Sequence, residues 1–184
     1  MSTKKILIFS ILSIFLLLAY FYLKAPSAGS IVQGMSIDIE NGEIEYKDVI
    51  YTAEWGDQKI HVGDIRYIGR AYDKYAPYIT NDAIVTTGEF SDPSIVEVTP
   101  IRNGNMSWRA QKKPKGSLIV LHFIPANLLV FKDLSRIKEG QEAEFTGREE
   151  IDGKIESSHG RYVALGHSNH RFFLLEKVRQ IDIE

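Results

Sequence analysis

The chain has 184 residues, no cysteine, 44% hydrophobic and 25% charged residues and a formal charge of −2. This composition excludes collagen-like, disordered and disulfide-stapled classes, and without thiols there is no zinc ribbon, iron–sulfur cluster, thiol nucleophile or lipidated cysteine. Of the 22 basic residues, Lys4, Lys5 and Lys24 precede the first acidic residue, Asp38, leaving 19 against 24 acidic ones downstream; a mildly acidic domain argues against nucleic-acid binding, which needs clustered Lys and Arg.

Residues 6–23 are apolar except for Ser10, Ser13 and two tyrosines near the end. At about 1.5 Å per residue they span roughly 27 Å, one hydrocarbon core, and Tyr20, Phe21 and Tyr22 fall where an interfacial aromatic belt would lie. A cleaved signal peptide has a shorter apolar region before a small-residue site, and Ala25-Pro26-Ser27-Ala28 offers such a site. The length favours an uncleaved anchor. The flanking lysines predict residues 1–5 in the cytoplasm and the remainder outside the cytoplasmic membrane. Residues 24–36, rich in Ala, Ser and Gly, read as a tether, and residues 37–184 as an exported domain.

In that domain the periodicity is mostly two. Ile37, Ile39 and Ile44 alternate around the turn Asn41-Gly42, a strong hairpin signal. Strands are expected over 49–55, after a turn at Gly56-Asp57 over 59–68, and then over 83–87, 95–101 and 106–111. The run Leu118 to Ile124 is nearly continuous and predicts a strand buried on both faces. One helix is expected over about 127–138, capped by Asn127 and closed by Gly140. Residues 141–150 alternate again, with Ala143 and Phe145 inward. Asp152-Gly153 predicts a hairpin, and strands over 154–165 and 171–183 follow. The expected fold is mostly β: a small antiparallel barrel, OB-like, or a sandwich, with one short helix.

Several residues are candidates for a site. His122 stands inside the apolar strand, where a histidine is either a satisfied core residue or a functional one. His167 and His170 have a spacing found in some metal sites, and His159 would join them if the chain folds back. Tyr67, Tyr72, Tyr75 and Tyr78 interleave with Arg66, Arg70 and Lys74; aromatics beside cations stack ligands or simply pack with wet hydroxyls. Trp108 and Arg109 are a large anchor beside a cation. Phosphate loops, a dinucleotide fingerprint and a nucleophile elbow are lacking, so no cofactor is expected.

Taken in order, Asp82-Ala83-Ile84-Val85-Thr86-Thr87-Gly88, Trp108-Arg109, His122-Phe123-Ile124-Pro125-Ala126, Gly140-Gln141-Glu142-Ala143, Gly147 and Ser157-Ser158 resemble the landmarks of a group of bacterial single-pass membrane proteins with a small β-rich exported domain. The resemblance covers roughly residues 60–184. Thr87, Val120 and Gln141 stand where that pattern has Trp, Asn and Asp, and its cysteine is missing. It implies location and architecture, not chemistry. The expected function is binding or scaffolding outside the cytoplasmic membrane, with an envelope protein as partner. The alternative is an exported hydrolase or metal-dependent enzyme using His122 or the histidines 159, 167 and 170.

Overall fold

The computed structural model describes residues 27–71, 76–100 and 106–181. The apolar segment 6–23, Tyr72, Tyr75 and the turn expected at 103–105 lie outside them. Among the described residues no helix is long and apolar enough to cross a membrane. The chain is mostly β. In order it forms α1 (Ala28–Gln33), β1 (Met35–Asp38), β2 (Glu43–Tyr46), β3 (Val49–Thr52), β4 (Trp55–Arg70) and β5 (Asn81–Gly88). After a 3-10 turn (Glu89–Ser91) come β6 (Val96–Pro100), β7 (Met106–Ala110), β8 (Gly116–Pro125) and α2 (Leu128–Leu134). The last four strands are β9 (Glu142–Glu150), β10 (Lys154–Ser157), β11 (Tyr162–Ala164) and β12 (His170–Ile181).

Five of these strands close a barrel in the order β12-β8-β5-β4-β9. Closure depends on β4, which pairs with β9 over Trp55–Asp64 and with β5 over Asp64–Arg70. A strand shared in this way must bend, and it does so at Gly63, where a Cβ would run into the Thr86 carbonyl. Gly56-Asp57, expected as a turn, lies inside β4 instead; the register slips there between Trp55 and Gln58, so the pair marks a bulge. The expected all-antiparallel pairing is also corrected: β8 and β12 run parallel. A parallel pair needs a long crossover, and α2 and β9–β11 supply it.

The barrel interior holds Leu121, Phe123, Ala143, Phe145, Phe173 and Leu175. Val130 and Leu134 of α2 and the following Ile137 pack on this cluster. Asn127 caps the helix by accepting from the Val130 amide at 3.0 Å. The helix is shorter than expected because Ser135 turns its hydroxyl onto the Phe131 carbonyl at 2.8 Å and the chain tightens into three-residue bonds, Arg136 to Asp133 and Ile137 to Leu134.

A second sheet, β1-β2-β3-β10-β11, covers part of the outer wall. Ile44, Tyr46, Tyr51 and Ile155 from this sheet pack with Ile124, Phe172 and Leu174 from the wall. The residues read as tether join them: Ser27 caps α1 by accepting from the Ser30 amide, and Ile31 is buried in the same cluster. The hairpin β6–β7 forms its own two-stranded sheet. It is held by Arg66, whose guanidinium donates to the carbonyls of Phe90 (2.8 Å) and Val96 (3.1 Å).

The closest backbone approach in the wall is at Gly147 on β9, where a Cβ would collide with the Leu174 carbonyl. Gly147→Ala should therefore lower the melting temperature by roughly 2–12 °C, because overpacking costs about 1–3 kcal/mol and each kcal/mol is worth roughly 2–4 °C at this size. Gly166→Ala, which meets nothing within 4 Å, should leave the melt unchanged.

Candidate functional site

Neighbouring strands of the barrel place two rows of side chains on its outer wall. One row runs Gly69, Asp82, His122, Phe172 across β4, β5, β8 and β12; the next runs Tyr67, Ile84, Val120, His170. Asp82 and His122 thus stand directly opposite each other, and His170 is one row away. Asp82 Oδ1 is 2.7 Å from His122 Nδ1, and His122 Nε2 is 3.0 Å from His170 Nδ1. All three side chains belong to buried residues, 7%, 9% and 5% exposed respectively.

Elementary donor bookkeeping orders this chain. The Asp82 carboxylate only accepts, so His122 donates through Nδ1. One proton then lies between His122 Nε2 and His170 Nδ1. Burial, then the neighbouring imidazoles of His122 and His167, push the His170 ring down to about 4, so at neutral pH it is uncharged. Its Nε2 makes no hydrogen bond to any described residue. Tyr67 completes the cluster: its ring lies over Gly69, where a Cβ would strike the phenol oxygen. Burial first, and then the charges of Asp82 and Glu139, raise that phenol above its ordinary range.

The strand ends beside His170 carry a second polar group. Glu149 on β9 accepts from Lys59 and from His61 on β4, with Nε2 of His61 2.8 Å away. His61 sets its ring edge-on to Phe173 at 5.2 Å. Burial raises the Glu149 carboxyl, but the Lys59 hydrogen bond and the charges of His61 and Lys59 outweigh it and hold the group below its ordinary value. Burial pulls His61 down in spite of Glu149. Arg171 Nε is 3.7 Å from Glu149, while its Nη1 donates to the carbonyls of Ser168 and His170. A cleft of about 400 Å³ opens here, lined by Gly56, Lys59, Glu149, Leu165, His170 and Arg171 among others.

Three residues singled out in the sequence, Tyr67, His122 and His170, are therefore brought into one place. The others are not. Asn127 is a helix cap. Trp108 lies edge-on to Phe90 at 5.3 Å, and Arg109 faces Glu97 in the separate hairpin. His159 is exposed in the turn between β10 and β11. His167 is exposed and lies 5.2 Å, ring to ring, from His170. Among the described residues no group of three metal-ligating side chains is placed to hold an ion. Lys59, His61, Glu149 and Arg171 carried no signal of their own and Asp82 stood only at the head of a landmark, because only strand register reveals their neighbours.

Two outcomes follow from this geometry. Asp82→Ala leaves the buried His122 N–H without an acceptor and should destabilise the fold by about 1–3 kcal/mol in denaturant melts, whereas Asp82→Asn keeps an acceptor and should cost less. His170 binds its proton near 6.5 when unfolded and about 4 when folded, so between these values the unfolded chain holds more protons. Stability should fall as pH drops through that window and level off below it. Thermal melts at pH 7.5 to 4 should show this loss, with a shallower slope in His170→Gln.

No protein-family model matches the chain, and no curated protein matches it either.

Proposed function

We propose that the chain is a single-pass envelope protein, anchored by residues 6–23 with its N-terminus in the cytoplasm, whose exported OB-like barrel is a binding module. The barrel reading rests on the strand order, the single parallel pair and the helix between its third and fourth strands, which match a five-stranded Greek-key barrel of that type. Such barrels bind ligands on the face of their second and third strands and on the adjoining loops. Here those strands are β5 and β8, which carry Asp82 and His122. Part of the wall is clad by the second sheet, and the cleft lined by His170 is open.

The observation that carries the proposal is the buried chain Asp82–His122–His170, which ends in the wall of that cleft. A carboxylate–imidazole pair also suits acid–base chemistry, and this supports a second reading as an exported hydrolase. Against it, the nitrogen of His122 that would activate a hydroxyl is taken by His170.

In-cell crosslinking of the intact protein, followed by mass spectrometry, separates the two. The binding reading expects a reproducible envelope partner that is lost in a folded His122→Ala variant. No partner from either form, together with ester hydrolysis that disappears in His170→Gln, would replace it with the hydrolase.

A further inference from the structure

We propose that the exposed face of α2, with Leu129 at its tip and Lys132 behind it, is a lipid-docking surface: it rests in the headgroup layer of the membrane that holds residues 6–23, and so fixes which side of the barrel faces the bilayer. This rests on the anchoring reading and deepens it by giving the exported domain an orientation.

The spacing of residues in α2 sorts its two faces. Val130 and Leu134, with Ile137 just beyond the helix, are four and three residues apart and pack on the barrel core. Leu129 and Lys132, three apart, share the opposite face, and both are exposed. Leu129 is 69% exposed, matched among the described large apolar side chains only by Tyr162. Leu128 lies beside it, half-buried. A single exposed leucine is ordinary on a protein surface. The place of this one in the fold sets it apart.

The helix α1 runs against α2: a Cβ added at Gly29 would touch the Phe131 ring at 3.5 Å. The start of α1, where Ser27 caps it, therefore stands next to α2. Residues 24–26 alone separate that cap from the apolar run 6–23. Three residues reach at most about 11 Å, roughly one helix diameter. An anchor in the bilayer thus brings the corner formed by α1 and α2 to the lipid first.

The charges around Leu129 suit a headgroup layer. Lys132 is exposed and forms no ion pair among the described residues. The one carboxylate of the helix, Asp133, is bound by Arg136 at 3.0 Å. Past the helix, the exposed Lys138 and Glu139 offset each other. A leucine set into the acyl boundary, beside a lysine whose stem lies along the interface and whose ammonium stays among phosphates, is how a helix lies on a membrane. Anionic lipid adds attraction for that lysine.

The chain has no cysteine, so Leu129→Cys and Tyr162→Cys can each carry one fluorophore at a unique position. Tyr162 is equally exposed but stands on β11, the edge of the second sheet opposite β1, into which α1 leads. The full chain is placed in vesicles of phosphatidylcholine, with or without phosphatidylglycerol, in which some lipid bears a nitroxide quencher at the boundary of headgroup and acyl chain. The label at 129 should lose most of its emission, while the label at 162 keeps it. Both variants should melt as the parent chain does. Adding Lys132→Glu should weaken the quenching at 129 in vesicles with phosphatidylglycerol and leave it unchanged in phosphatidylcholine alone. A label at 129 as bright as that at 162, in a chain that alkaline washing leaves in the vesicles, overturns the inference while the anchor stands. A label at 129 shielded from aqueous iodide yet not quenched by the lipid also overturns it, because the cover is then protein. Release of the chain by the alkaline wash removes the anchor, and the lipid-docking face falls with it.

Discussion

The parallel pairing of β8 with β12 is the constraint from which the site arises. It joins the third and the last of the five barrel strands and closes the wall. The second sheet then covers part of that wall from outside, so residues of β8 and β12 are buried on both faces. Polar side chains on such a wall must find partners among themselves, because a buried unpaired donor or acceptor costs about 1–3 kcal/mol. Asp82, His122 and His170 do this in sequence, each at hydrogen-bond distance from the next. Their arrangement is thus tied to the architecture: strands that slipped by one residue would turn them into the barrel interior.

Two kinds of electrostatics meet around the cleft. Glu149 is bound by Lys59 and His61 with Arg171 nearby, and its carboxylate is held in the charged form. On the neighbouring wall, burial keeps His170 neutral. A charged network and a neutral ring thus share one lining. This juxtaposition distinguishes the site from an ordinary buried ion pair, in which the charges are spent on each other.

Much of the fold was legible because it rests on local rules. The alternation at Ala143 and Phe145, the apolar run that became β8 and the turns at Asn41-Gly42 and Asp152-Gly153 all follow from side-chain period and turn chemistry. What was missed is non-local. Gly56-Asp57 is a turn by composition and a bulge by context, since the same backbone freedom serves both. The parallel pair has no local signature at all. The site divides the same way. His122 stood out as a polar residue in an apolar strand, yet nothing local pairs it with Asp82, 40 residues away. Arg171 and Glu149 meet only because β12 pairs with β9.

The helix α1 would set the reach of the domain from the proposed anchor. Because Ala28–Gln33 is docked into the core, the slack between the proposed anchor and the folded body shrinks from residues 24–36 to residues 24–27, which extend at most ~14 Å. Under the proposed anchoring, a leash that short would hold the barrel at the lipid surface, where its search for a partner would be two-dimensional and its effective concentration high.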